Sequence, residues 1–275
     1  MKRVMKWLVC MMFPLVGLHG DDQIALLFLT VGEINHANLW EKQLKDDERF
    51  SIYVHSKSPI QHPFFAPRRI VKIVPTSWSN HMNAWQELLK EAVKDERNKK
   101  FVFLSDSCVP LRPLEDTYHA LIQDDRAYMC FRAPWWSKTS SREVVELPEE
   151  HRWGNGEWVI LNRRYALMIA QDETVIKYVA QHDLDVEAYP SSLLSVHGCL
   201  HNADILCQES TFANWDKGSS HPYQYQGADH PYLFKDDSVK NVELLLEARR
   251  GGLFFARKVA STFPQDVLEQ VMYME

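Results

Sequence analysis

The stretch FVFLSDSCVPL, residues 101–111, decides the fold: a short apolar run, FVFLS at 101–105, ends abruptly in the polar turn Ser105-Asp106-Ser107. An apolar run of this length bounded by polar residues reads as a buried strand. The pattern already occurs upstream as IALLFLTV at 24–31, SIYVH at 51–55 and IVKIV at 70–74. Between these runs lie an amphipathic segment around Leu39 to Leu44 and a helical segment through Trp85, Leu88, Leu89 and Val93. Spacings of three and four put the latter residues on one helix face. Strands alternating with helices predict an α/β fold whose central, mostly parallel sheet is flanked by helices. Such sheets bind ligands at the carboxyl ends of their strands, so the loops after Thr30, His55, Ser77 and Ser105 should border a site.

Downstream, the sequence predicts a helix from Leu114 to Ile122, a strand from Tyr128 to Phe131, a strand from Trp158 to Leu161 and one long helix from Arg163 to Gln181. The stretch from Pro134 to Gly156 lacks periodicity and reads as a long surface excursion suited to substrate contact. An aromatic loop from Phe212 to Phe234 carries Trp215, Tyr223, Tyr225 and Tyr232. A helix from Val239 to Arg249, the segment GGLFFARKV at 251–259 and a short final helix close the chain. No internal repeat or low-complexity linker interrupts it, so residues 21–275 are expected to form a single domain.

The chain has 275 residues, of which 45% are hydrophobic and 25% charged, the composition of a soluble globular fold. A formal net charge of −6 removes the basic footprint on which nucleic-acid binding depends, and nucleic acid is excluded as a partner. Aromatic residues make up 12%, with nine Trp, a bias that suits carbohydrate readers as well as packed cores.

Lys2, Arg3 and Lys6 precede an apolar run from Trp7 to Leu18, followed by His19-Gly20. That order is the one a secretory signal uses. The run is shorter than the roughly 20 apolar residues a spanning helix needs, so residues 1–20 are expected to be a cleaved signal, with a short membrane anchor through residues 7–18 or a buried first strand as alternatives. The expected location is the secretory pathway or a membrane surface. Removing Cys10 would leave Cys108, Cys130, Cys199 and Cys207, an even number that an oxidising compartment can pair. Cys199 with Cys207 is the expected bridge. No C-x-x-C pair supports a zinc ribbon or a thioredoxin-like site.

Moving a sugar from a nucleotide to a hydroxyl needs a carboxylate to take the proton and positive charge to hold the departing diphosphate. Glu187, in DVEAYPSSLL, stands where a helix gives way to a loop, and Arg257-Lys258 emerge directly from the apolar GGLFFA. Taken alone, the first reads as solvated surface and the second as a solvent-facing pair. Metal-dependent transfer commonly uses an Asp-x-Asp pair at a central strand end. At that place stands the single Asp106; an Asp-x-Asp does occur at Asp183-Leu184-Asp185, but after a helix. The G-x-S-x-G elbow, the P-loop, the G-x-G-x-x-G fingerprint and H-E-x-x-H are all absent, and with them the best support for hydrolase, kinase, dehydrogenase and zinc-enzyme readings.

Seven segments in order, IALLFLTVG (24–32), FSIYVHSKS (50–58), SWSN (77–80), FVFLSDSCVPL (101–111), GEWVILNRRYA (156–166), NWDKGSSHP (214–222) and LFFARKV (253–259), span nearly the whole of 21–275. In this combination the chain resembles the core-2/I-branching β-1,6-N-acetylglucosaminyltransferases, above all their shorter plant and bacterial relatives. The resemblance implies a modified glycosyltransferase A-type fold and inverting transfer from a UDP-sugar to a glycan acceptor, with no cofactor and no metal at an Asp-x-Asp. N-acetylglucosamine is the donor sugar it implies first, with xylose and glucuronic acid also open. By the same resemblance Glu187 is the general base and Lys258, with Arg257, binds the diphosphate. Val54 and His55 would border the uracil or ribose, Asp106 would lie at the donor, and Trp215 would stack on an acceptor sugar. Glu149 and Arg152 are the counterparts of the family's acceptor contacts. A second diphosphate-binding basic residue has no match; His221, Lys217, Arg249 and Arg250 are the substitutes at hand. Three rival readings remain: a carbohydrate-binding protein on the same fold without turnover, a metal-dependent transferase using Asp183 and Asp185, and a structural secreted domain.

Overall fold

A computed structural model describes residues 21–134, 136, 138, 140–215 and 231–274. The expected signal or anchor at 1–20, and with it the 7–18 run, lies outside the described residues. Among those described, no helix is long and apolar enough to cross a membrane.

In chain order the strands are β1 (Gln23–Thr30), β2 (Phe50–Ser56), β3 (Asn98–Ser105), β4 (Val109–Pro110), β5 (Ala127–Tyr128), β6 (Phe131–Arg132), β7 (Gly154–Asn155), β8 (Ile160–Asn162), β9 (Ile205–Leu206), β10 (Thr211–Ala213) and β11 (Phe255–Arg257). The helices are α1 (Ala37–Leu44), α2 (Met82–Ala92), α3 (Leu114–Gln123), α4 (Arg163–Gln171), α5 (Val175–Val179), α6 (Tyr189–Val196), α7 (Val239–Arg250) and α8 (Gln265–Tyr273). Six strands form the central sheet in the order β2-β1-β3-β8-β5-β9. β1 runs parallel to β2 and β3, β5 parallel to β9, and β8 antiparallel to its two neighbours. The fold is thus the expected α/β arrangement, with the sheet mixed at β8.

Burial on both faces explains the unbroken apolar runs of β1 and β3. Side chains alternate across the sheet: Ala25, Leu27, Phe101 and Phe103 face a core shared with α2, α4 and α6, while Ile24, Leu26, Phe28, Val102 and Leu104 face one shared with α1 and α3. On α2, Trp85 stacks on Phe103 with ring centroids 4.2 Å apart. A second sheet, β10-β11-β4, packs with α7 and α8 around Phe234, Leu245 and Val271. Phe255 of β11 packs into the core that the central sheet shares with α1 and α3.

Four expectations need correcting. The Tyr128–Phe131 strand is two short strands in different sheets, β5 and β6. IVKIV at 70–74 is no strand: Arg69, just before it, forms an isolated bridge with Val54 of β2, the Ile70 N–H donates to the Val54 carbonyl at 2.8 Å, and Val71 is exposed. The Arg163–Gln181 helix is two helices, because the Asp172 carboxylate accepts the N–H groups of Thr174, Val175 and Ile176 at 3.0, 3.1 and 2.8 Å and starts a new helix there. The disulfide joins Cys130 to Cys207, not Cys199 to Cys207. The parallel pairing of β5 with β9 carries the chain on to Cys130 and Cys207 side by side, whereas Cys199 is buried with its thiol against the His197 carbonyl.

Candidate active site

A cleft of about 1060 Å³ opens at the carboxyl ends of β1 and β3, where the topology of an α/β sheet favours ligand binding. Its walls include Val31 after β1, Ser105 at the end of β3 with Asp106 and Ser107 after it, Glu187 from a turn before α6, and Arg257 and Lys258 from β11 and the residue following it.

Glu187 ends a single 3-10 turn, Asp185–Glu187, entered through Leu184 in the left-handed region at φ 57°. A non-glycine residue there costs about 1 kcal/mol or more, and such strain clusters at functional sites. Long-range contacts hold the turn. The Asp185 carboxylate accepts the backbone N–H groups of His81 and Met82, both at 3.0 Å, capping α2. Asn155 donates to the Val186 carbonyl at 2.9 Å and accepts from the Ser191 hydroxyl at 2.8 Å. The half-buried Glu187 carboxyl is pushed up to about 7 by desolvation, with Arg142, His81 and Arg132 pulling down and Glu157 pushing up. A carboxyl with that proton affinity suits general base work at neutral pH.

The cationic wall is set by β11, paired on both sides by β10 and β4. The Arg257 guanidinium stacks 4.0 Å above the Trp158 ring, and its side chain is only 12% exposed. Lys258 is half-buried; burial and the neighbouring Arg257 lower its proton affinity, while Glu157 and Asp106 oppose them. Burial raises Asp106, against backbone N–H donation from Val31 and the charges of Arg257 and Lys258. Two adjacent cations held in a cleft make a place for an anion such as a diphosphate.

Glu157 stands between these groups. Its Oε1 pairs with His81 Nε2 at 2.9 Å and its Oε2 lies 4.0 Å from the Arg257 guanidinium. Burial works to neutralise Glu157, yet the His81 hydrogen bond and the charges of Arg257, His81 and Lys258 outweigh it and keep the carboxylate low. His81 is raised in turn, the bond and charge of Glu157 exceeding the effect of burial.

Of the residues singled out from the sequence, the cleft brings together Glu187, Arg257, Lys258, Asp106 and Trp215, which stands on its rim 51% exposed. It does not include Val54 or His55, whose side chains are fully buried; Val54 packs in the core, and His55 accepts the Val74 N–H on its Nε2 at 3.0 Å. Glu149 is exposed and paired with Lys138, and Arg152 is bound to Glu143 at 3.0 Å and to the Leu147 and Val145 carbonyls, so neither lines the cleft. Asp183 accepts from Ser141 at 2.6 Å while Asp185 caps α2, so the two carboxylates are committed to different partners. Among the described residues no cluster of His, Cys, Asp and Glu is placed to hold a metal ion. Arg249 and Arg250 end α7 away from the cleft, and Lys217 and His221 lie outside the described residues.

Sequence reasoning missed Glu157, His81, Arg142 and Trp78. A signal was at hand for two of them, since Trp78 and His81 follow Ser77, whose loop is expected from the sequence to border the site.

Residues 24–236 match the Core-2/I-Branching enzyme family, and the chain belongs to that family. It is 26% identical to Glycosyltransferase BC10 of Oryza sativa subsp. japonica over 271 residues, covering 82% of this chain and 67% of the relative. Family and relative together put the chain among the glycosyltransferases.

Proposed function

We propose that the chain is an inverting, metal-independent glycosyltransferase that moves a sugar, N-acetylglucosamine by first choice, from a UDP-linked donor to a hydroxyl of a glycan acceptor. Glu187 takes the proton of the acceptor hydroxyl as that oxygen attacks C1 of the donor sugar. The bond from C1 to the diphosphate oxygen breaks, its electron pair leaves with UDP, and Lys258 and Arg257 neutralise the charge that develops. Attack opposite the leaving group inverts the anomeric centre. Trp215 offers an apolar ring face to an acceptor sugar at the cleft mouth.

One observation carries this reading: a single cleft contains a carboxyl poised near neutral pH and, beyond an intervening acid, an adjacent pair of cations. The Cys130–Cys207 bond fits work in an oxidising compartment of the secretory pathway. The deciding experiment measures UDP affinity and sugar transfer for wild type, Glu187→Gln and Lys258→Ala. Loss of transfer with UDP binding retained in the first variant, and weakened UDP binding in the second, support the assignment; an active Glu187→Gln protein overturns it.

A further inference from the structure

The transferred sugar occupies a position fixed by the reaction itself. Its C1 must lie between the acceptor oxygen, beside the base, and the departing diphosphate, beside the cations. Glu157 is the acid that both sides sense: its charge acts on Glu187, on Arg257 and on Lys258, and it lines the cleft with a side chain 20% exposed. The His81 bond occupies one carboxylate oxygen, and the other has the Arg257 guanidinium at 4.0 Å, longer than a hydrogen bond. Capacity to accept from a ligand hydroxyl therefore remains on the cleft side.

Resting on the transferase reading above, we infer that Glu157, held by His81, is the donor-sugar contact that sets specificity: it accepts from hydroxyls of an uncharged pyranose and rejects a sugar bearing a carboxylate. A uronic acid there would place a second negative charge beside Glu157 in a partly desolvated cleft, where like charges repel strongly. Hydroxyl groups instead satisfy a carboxylate that already has its counter-charges. Of the three donors left open by the sequence, the geometry selects N-acetylglucosamine and xylose over glucuronic acid.

The test is calorimetric titration of the protein with UDP, UDP-N-acetylglucosamine, UDP-xylose and UDP-glucuronic acid, for wild type and Glu157→Gln. Wild type should bind at least one neutral-sugar donor about tenfold or more tightly than UDP-glucuronic acid, and Glu157→Gln should shrink that ratio to about threefold or less, the loss of one like-charge penalty. Affinity for UDP alone is measured with each protein and every donor is compared with it, so the loss of the charge beside Arg257 and Lys258 acts on all ligands alike and drops out of the ratio. Equal or preferred binding of UDP-glucuronic acid by wild type overturns the inference without any variant, so a misfolded Glu157→Gln protein cannot shelter it. Selectivity unchanged in a folded Glu157→Gln protein overturns it as well. Failure of wild type to bind UDP or any UDP-sugar is a separate outcome that overturns the transferase reading and this inference with it.

Discussion

Asp185 and His81, 104 positions apart, are joined by a hydrogen bond of 3.0 Å from the His81 backbone N–H to the Asp185 carboxylate. The same carboxylate binds Met82, so one side chain caps α2 and anchors the turn that presents Glu187. Asp185→Ala leaves two N–H groups without this acceptor and should cost about 1–3 kcal/mol, read in denaturant melts. Turnover should fall further than UDP affinity does, because the turn moves while β11 stays in place. Asp185→Asn should recover most of the stability.

Transfer should depend on pH through Glu187. Desolvation raises this carboxyl to about 7, so kcat/KM should climb as pH rises through that value and level off above it. An acid limb centred near the ordinary glutamate value of 4.5 would remove Glu187 from the role.

Stability carries the opposite signature. A carboxyl raised on folding favours the native state below its unfolded value of 4.5, and that contribution is lost as pH rises through about 7. Glu187→Gln should therefore melt higher than wild type at pH 8, by about 1–3 kcal/mol. The gain should vanish near pH 4. Equal melting at both pH values would show that the carboxyl is better solvated than its surroundings suggest.

Lys258→Ala should weaken UDP binding by roughly ten- to a hundredfold, the worth of one charge-assisted contact. Arg257→Ala should weaken it too, and also lower the melting temperature, because the guanidinium packs on Trp158. Unchanged nucleotide affinity in both variants would exclude this wall as the diphosphate site.

Donor binding and turnover should survive excess chelator, and Asp183→Ala should leave transfer within about twofold of wild type, as expected for an exposed residue away from the chemistry. Activity abolished by chelator and restored by a divalent cation would return the metal-dependent reading.

The fold was legible where burial is two-sided. β1 and β3 announce themselves because both faces are covered along Ile24–Leu29 and Phe101–Leu104, where every residue is apolar. IVKIV misled for the same reason: its composition is that of a strand, but only Ile70 is buried and no ladder forms along it. The Arg163–Gln181 break was present in the sequence as Asp172, an acceptor able to cap a new helix three residues on. Of the site, Glu187 and Lys258 were reached through the family resemblance, since taken alone each reads as surface, and the structure places both on the cleft. Glu157 was not reached, since its meaning comes from His81, which precedes α2, and Arg257, in β11, both distant in sequence. Val54 and His55 follow the strand pattern faithfully and are buried by it, which keeps them from the cleft. The disulfide depended on which strands end side by side, information that residue spacing does not contain.

The Cys130–Cys207 bond spans a sequence separation of 77 and encloses Arg142, Glu157, Asp185 and Glu187 within one covalent loop. The acidic half of the cleft is thus a ring threaded onto the rest of the chain at a single point. A protease that cuts within the exposed residues 148–150 would yield two polypeptides that still migrate as one until a reductant is added. Nicked protein would keep the part of the cleft that carries His81 and Asp106 covalently joined to the part that carries Glu187 and the cations.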